Sequence, residues 1–554
     1  MRIIECVPNF SEGRDQKILD SIKEVIESVE GATLLDMDPG ADTNRTVTTI
    51  VGEPEPVMEA AFLAVKKAAE LIDMRNHSGA HPRMGATDVC PFVPVSGVTM
   101  QECVDFARQV GKRIGEELQI PVYLYEYAAS KPEWKNLANV RKGEYEGLKD
   151  RVGKEDWTPD FGPHIFNPKS GATAVSAREF LIAYNINLNT RDKKKAHELA
   201  LTIREKGRWA RDEKDRILKD EKGNKTRQAG LFEHCKAVGW YIEEYKRAQI
   251  SINLTNYKVT PPHIVLEKVR DLAREQGIQV TGSELVGLIP KEAILMAGKY
   301  YLNRMGESAG IPEKMIIETA IQSMGLTDLT DFDINEKVIE YAIAPKDNLI
   351  NMTISGFADE LSTDSPAPGG GSVAALCAAM SAALTAMVAN LTFGKKGYEK
   401  AWDLAKGLAE QAQKIKDDAL AAIDKDTLVF YKMMDVARLP KSNEEENNYR
   451  QEMIQQATKE AILVPLQTMQ IALQSVELAQ KIAGIGNKNA LSDAGVAAIT
   501  ANSAAKAAYL NVKINMGGIK DENFKFETLS KAEELLEKVD NVALLVEKEV
   551  RENV

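Results

Sequence analysis

Two of the chain's six histidines, His77 and His81, share the run His77-Ser78-Gly79-Ala80-His81-Pro82-Arg83-Met84-Gly85. Imidazole is the side chain that ordinarily changes charge closest to neutral pH. A histidine on a loop between framework elements can therefore trade protons with a bound ligand. Gly79 and Pro82 oppose a helix, so the stretch reads as a loop feeding the apolar run Val89-Cys90-Pro91-Phe92-Val93. The four-residue spacing also occurs in H-E-x-x-H zinc sites, where a helix brings both rings to one face. Here no Glu follows His77 and the helix is interrupted, so no metal is expected. A surface histidine without a role is the remaining alternative. Arg45 and Arg83 are candidates for a substrate carboxylate, which a guanidinium grips in two-pronged fashion; a structural ion pair would also account for either.

Two further stretches could meet a ligand. Ser365-Pro366-Ala367-Pro368-Gly369-Gly370-Gly371-Ser372 directly precedes an Ala-rich apolar segment. Consecutive glycines let backbone N–H groups close on a ligand, and the start of a helix adds partial positive charge. No Lys stands where a Walker loop needs one, and a flexible linker is the alternative. Phe161 to Thr173 carries two Gly and two Pro, giving a loop of fixed shape with exposed N–H groups. Asp424 and Asp426 fall inside an otherwise helical segment from Asp417 to Met434. Residues two apart on a helix point different ways, so at most one of them faces a shared cavity. In the stretch Gly486 to Ala494, Ser492 is expected to cap the following helix, with Asp493 supporting its positive end.

The elements that must hold these residues follow from periodicity. Strand, helix, strand, strand, helix, strand is the order up to Val95, and the same order recurs from Phe180 to Thr281. The fold class expected is multidomain α/β plus all-α: two tandem βαββαβ-type subdomains, then an α-helical bundle. The boundaries are drawn at 1–180, 181–340, a linker at 341–348, and 349–554. Beyond the linker, spacings of three and four dominate, as at Leu529, Ala532, Leu536 and Val539. Val373 to Val388 falls just short of a membrane span and reads as a buried bundle helix.

Composition narrows the classes. The chain has 554 residues and a formal charge of −12, which argues against a general nucleic-acid binder. Five scattered cysteines without a C-x-x-C pair suggest neither a disulfide framework nor a zinc knuckle, and a reducing cytoplasm fits. No secretory leader can be drawn at the N-terminus.

Several longer motifs resemble known families. Glu5-Cys6-Val7-Pro8-Asn9-Phe10-Ser11-Glu12-Gly13, Asp36-Met37-Asp38, Thr43-Asn44-Arg45-Thr46-Val47 and the His81-Pro82-Arg83-Met84-Gly85 loop resemble glutamate formimidoyltransferase. Ala367-Pro368-Gly369-Gly370-Gly371-Ser372-Val373 and Asp424-Lys425-Asp426 are similar to formimidoyltetrahydrofolate cyclodeaminase. Their order resembles the fused formimidoyltransferase-cyclodeaminase family over nearly the whole chain. The resemblance implies transfer of a formimino group from N-formimino-L-glutamate to tetrahydrofolate, then ring closure to methenyltetrahydrofolate with loss of ammonia. It implies His81 as acid/base, with Asp38 orienting it or binding the cationic formimino group, and Asp426 as the catalytic carboxyl of ring closure. Gly162, Pro163, His164, Ile165, Phe166, Asn167, Pro168, Lys169, Ser170 and Gly171, together with Gly369, Gly370, Gly371 and Ser372, are implied folate contacts. The co-substrate would be tetrahydrofolate, expected to be polyglutamylated, with no metal, no nucleic acid and no membrane, in a cytoplasmic homo-oligomer. The charged segment 206–232 appears as a departure from the family pattern; it reads as a solvated loop or as a holder for a polyglutamate tail. The alternative is a folate-binding or helical assembly protein with one or both activities lost.

Overall fold

The computed structural model describes residues 2–41, 43–79, 81–344 and 348–554. Ala80 of the histidine loop and residues 345–347 of the expected linker lie outside the described residues. The chain divides into two compact units, Met1–Ala297 with Met324–Ala344, and Gly298–Ser323 with Pro345–Val554.

The first unit holds two sheets. Strands β1 (Ile3–Cys6), β2 (Asn9–Phe10), β3 (Ala32–Gly40), β4 (Arg45–Gly52), β5 (Thr87–Ser96), β6 (Val122–Glu126) and β7 (Thr173–Ala177) form one of them. β1 and β2 both lie between β4 and β5, separated by Val7-Pro8, where proline cannot donate to a ladder. The order is thus β3, β4, β1/β2, β5, all antiparallel, followed by β7 and β6 in parallel. This is a split βαββαβ sheet extended by two strands. Side chains alternate across it. Ile4, Cys6 and Phe92 pack with Ile22, Ala64 and Val110 of the helices Gln16–Glu27, Pro54–Leu71 and Met100–Glu117. Glu5, Val7 and Asn9 face the other way. Cys6 and Cys90 are buried free thiols 3.6 Å apart, packing residues in adjacent strands.

The second sheet repeats the plan with β8 (Ile182–Leu188), β11 (Cys235–Ile242), β12 (Arg247–Leu254) and β13 (Val280–Val286) in the order β11, β12, β8, β13. Between β8 and β11 the charged segment forms a small separate hairpin from β9 (Arg208–Trp209) and β10 (Arg227–Gln228). The Arg227 guanidinium stacks 3.8 Å from the Trp209 ring centre. The tandem α/β plan is the one the periodicity predicts. β7 is an addition: all five of its residues are buried, so the alternation that marks a half-exposed strand is missing, and Thr173, expected in a loop, opens the strand.

The second unit is helical. Gly370–Thr392 packs against Trp402–Ala437, Glu444–Ile485 and Leu491–Asn515, with Glu522–Asn553 closing the bundle. Alanines make the seam: Ala378, Ala382 and Ala386 meet Ala405, Ala409 and Ala501 in one core, where short side chains let backbones approach. Gly370–Thr392 is long and apolar enough to cross a membrane by length and composition, with a mean hydropathy of 1.9. In the structure 61% of that window is buried by the other helices. Ser492 is not the cap expected of it. A 3-10 turn, Lys488–Ala490, capped by Asn487, leads directly into Leu491, which moves the helix start ahead of Ser492 and leaves Asp493 in the first turn.

Candidate functional site

The uncovered face of the first sheet floors a cleft of about 720 Å³ within the first unit. Alternate residues line it, as the pleat requires: Glu5, Val7 and Asn9, then Arg45, Val47 and Thr49, then Val89 and Pro91. Arg141, Arg178 and Phe180 form walls, and Lys236 and Val286 reach in from the second sheet.

His81 stands beside this cleft through Arg45, whose Nη1 lies 3.0 Å from His81 Nε2. Arginine only donates, so Nε2 accepts, and the Nδ1 proton goes to the Pro82 carbonyl 2.7 Å away. The ring is therefore a neutral imidazole of fixed tautomer. Burial holds its pKa below the usual imidazole range, and Arg45 lowers it further. The expected carboxylate neighbour would have raised it. Asp38 does not play that part: it is exposed on β3 opposite Val47, and both ring nitrogens of His81 have other partners. Arg45 also donates through Nη2 to Asn9 Oδ1, while its buried Nε has no partner among the described residues.

Arg83 is occupied differently from Arg45. Its two terminal nitrogens bond Glu146 at 2.9 and 2.7 Å, and Nε reaches His77 Nδ1 at 3.2 Å. Both prongs are taken, so the geometry makes Arg83 a brace of the loop rather than a free carboxylate clamp. His77 completes the brace through Nε2 and the Asn44 carbonyl at 2.9 Å. At the foot of the loop, the fully buried Asp88 accepts from the Met84 N–H and pairs with Arg141 at 2.5 Å. Gly79 and Gly85 permit this packing: a Cβ on Gly79 would lie 2.1 Å from the Thr43 carbonyl oxygen, and on Gly85 2.4 Å from that of Ala172. Asn9 and Arg141 escaped the reading of the sequence as site residues. Asn9 sits inside a quoted motif, but nothing local to Arg141 announces a partner 53 residues away.

The loop Gly162–Gly171 runs beside the histidine loop, with Ala86 N–H on the Ser170 carbonyl and Ala172 N–H on that of Met84. Asn167 Oδ1 receives the N–H groups of Lys169 and Ser170, fixing the turn, and Lys169 reaches the Glu70 carbonyl. Ser170 and Gly171 are buried, whereas His164 and Ile165 project to solvent.

In the helical unit Asp424 and Asp426 do point apart. Asp424 Oδ1 accepts the Leu349 N–H at 2.9 Å, tying down the turn Leu349–Asn351. Asp426 faces the start of the Gly370 helix, where Ser372 Oγ donates to its Oδ2 at 3.1 Å. A Cβ on Gly371 would lie 2.1 Å from Asp426 Oδ1, so glycine is what admits the carboxyl. Burial raises the Asp426 pKa, opposed by hydrogen bonds from Ser372. A carboxyl so placed is easier to protonate than a surface aspartate. Gly370 lies against Asn511 of the Leu491–Asn515 helix, which brings a side-chain amide to the same spot. Among the described residues, no group of three or more His, Cys, Asp and Glu is arranged to hold a metal ion.

Known proteins share this layout. Residues 3–178 match the formiminotransferase domain, N-terminal subdomain; 183–344 match the formiminotransferase domain; 353–534 match formiminotransferase-cyclodeaminase. The chain is 40% identical to formimidoyltransferase-cyclodeaminase of Mus musculus over 98% of both proteins. Glutamate formimidoyltransferase of Streptococcus pyogenes serotype M1 is 43% identical, covering 54% of this chain and 93% of its own length. Methenyltetrahydrofolate cyclohydrolase of Methylorubrum extorquens is 39% identical over 34% of this chain and 89% of its own. With a full-length relative at this identity, the chain belongs to the formimidoyltransferase-cyclodeaminase family.

Proposed function

We propose that this chain is a bifunctional enzyme. It moves the formimino group of N-formimino-L-glutamate to N5 of tetrahydrofolate, then closes 5-formiminotetrahydrofolate to 5,10-methenyltetrahydrofolate and releases ammonia. The observation that carries the transferase half is the neutral, tautomer-fixed His81 beside an arginine-lined cleft. N5 attacks the amidine carbon, a tetrahedral intermediate forms, and the bond to the glutamate nitrogen breaks. His81 Nε2 takes the proton that N5 loses and returns it to the departing nitrogen. At rest that lone pair is held by Arg45. A substrate carboxylate that draws Arg45 to itself frees Nε2, so binding and activation of the base are one event. Asp38, exposed near the cleft residue Asp36, is assigned to the cationic formimino group. The loop Gly162–Gly171 is assigned to folate.

In ring closure N10 attacks the formimino carbon, one proton leaves N10 and another must reach the nitrogen that departs as ammonia. Asp426, with its raised pKa and its place against the Gly369–Ser372 turn, is the proton carrier of this account. The functional division proposed is 1–180, 181–340 and 349–554, in a cytoplasmic homo-oligomer. For a polyglutamylated folate, the cationic groups of the charged segment, Arg208, Arg211 and Arg227, with Arg204 just ahead of it, surround a cavity of about 470 Å³ and suit the tail. Serine replacements of the exposed arginines there should then raise KM for polyglutamylated folate more than for the monoglutamate.

The likeness of about a third of the chain to a methenyltetrahydrofolate cyclohydrolase gives the second reading, in which water opens the methenyl ring. Purified protein with both substrates decides. Glutamate, ammonia and the near-ultraviolet absorbance of methenyltetrahydrofolate should rise together. Glutamate alone would leave a transferase with an inactive helical partner, and loss of methenyl absorbance on supplied methenyltetrahydrofolate would favour the cyclohydrolase.

A further inference from the structure

Glu5 is a carboxylate that none of the described residues pairs with. It is 5% exposed, it lines the cleft, and among the described residues it makes no side-chain hydrogen bond or ion pair. Arg178, across from it, is the charge that acts on it, without ion-pair contact. Burial pushes the Glu5 carboxyl up to about 7, with Arg178 drawing it down. Sunk in the wall but open to the cleft, the carboxyl offers its acceptors to whatever ligand fills that space. The other carboxylates of the cleft differ: Asp36 is exposed, and Glu126 and Glu179 are only half-buried.

Position says what should donate. Glu5 and Asn9 lie four residues apart on the cleft face of β1 and β2, about 13 Å along a strand. The Asn9 end holds Arg45 and His81, where the reacting nitrogen belongs. Two hydrogen bonds of about 2.9 Å with a fused bicyclic ring between them fill most of that span. The pyrimidine edge of a pteridine, opposite N5, carries an N3–H and a 2-amino group side by side. Two parallel donors match two carboxylate oxygens, the pairing that guanidinium makes.

We infer that Glu5 binds the pteridine of tetrahydrofolate, accepting from N3–H and the 2-amino group and so fixing which edge of the ring faces His81. The inference rests on the transferase reading of the cleft. Glu5→Gln keeps size and shape but replaces one acceptor with a donor. It should weaken tetrahydrofolate binding, measured by calorimetry, and raise its KM by roughly 10- to 100-fold, with kcat and the KM for formiminoglutamate little changed. Glu5→Asp should fall between. A tetrahydrofolate analogue with methyl in place of the 2-amino group should lose a similar factor on the unaltered protein. On Glu5→Gln the analogue should lose little more, because both changes remove the same contact. An unchanged tetrahydrofolate affinity in Glu5→Gln, additive losses for variant and analogue, or an equal rise in both KM values would overturn the inference. Wild-type protein that binds tetrahydrofolate without transferring the formimino group would sink the transferase reading, while the binding comparison would still judge Glu5. No binding by the wild type would sink both. Ammonia release from supplied 5-formiminotetrahydrofolate should be unaffected and serves as the folding control.

Discussion

Gly371→Ala separates the stability of the bundle from its chemistry. The methyl group would sit 2.1 Å from Asp426 Oδ1 and 2.6 Å from Oδ2, where ordinary contact begins near 3.4 Å. Asp426 is a short side chain at the edge of the seam, so its carboxyl can retreat by about 1 Å without moving a helix. Alanine is favoured over glycine in helices by up to ~1 kcal/mol, which offsets that cost. The unfolding temperature should therefore change little. Displacement of a catalytic group by about 1 Å can cost on the order of 100-fold, about 2.7 kcal/mol in the barrier. Ammonia release from 5-formiminotetrahydrofolate should fall by roughly that factor, while glutamate release from formiminoglutamate stays at the wild-type rate. Gly371→Ala with ammonia release intact and the carboxyl demonstrably moved would refute the assignment of Asp426 as proton carrier.

Other consequences are equally direct. Arg83→Lys loses the two-pronged contact with Glu146, whose own exposure limits the loss to about 1–2 kcal/mol. It should lower the unfolding temperature and kcat of transfer together; a selective rise in KM for formiminoglutamate at unchanged melting would return Arg83 to substrate binding. Because burial first and Arg45 second depress the His81 pKa, the base form persists below the usual imidazole range. Transfer should fall only as pH drops through that lowered pKa. Arg45→Gln should shift this acid limb upward in a kcat/KM profile, and a downward shift would contradict the electrostatics. Asp424→Asn still accepts the Leu349 N–H, so ring closure and melting should both be near wild type; loss of ammonia release would place Asp424 in the chemistry.

The sequence disclosed what is local and hid what is distant. Gly79 and Pro82 mark the histidine loop as a loop, and the structure shows Gly79 and Gly85 pressed against carbonyls where no side chain fits. Helical spacing alone sends Asp424 and Asp426 in different directions. The tandem α/β plan and the bundle follow from periodicities of two and 3.6. β7 stays hidden because burial on both faces removes alternation. The direction of the His81 shift could not be read, since it depends on Arg45 arriving from another strand in place of a carboxylate. The Arg83 pair spans 63 residues and the Arg141 pair 53, separations at which spacing carries no information. Ser492 misled because a side chain suited to capping stands one residue inside a helix that a 3-10 turn has already begun.

The central claim is two chemistries at two separate sites in one chain, and parallel glutamate and ammonia assays on His81→Ala and Asp426→Asn test it. His81→Ala should release no glutamate from formiminoglutamate yet release ammonia from supplied 5-formiminotetrahydrofolate at the wild-type rate. Asp426→Asn should do the reverse. Either variant losing both activities while melting as the wild type does would contradict the account.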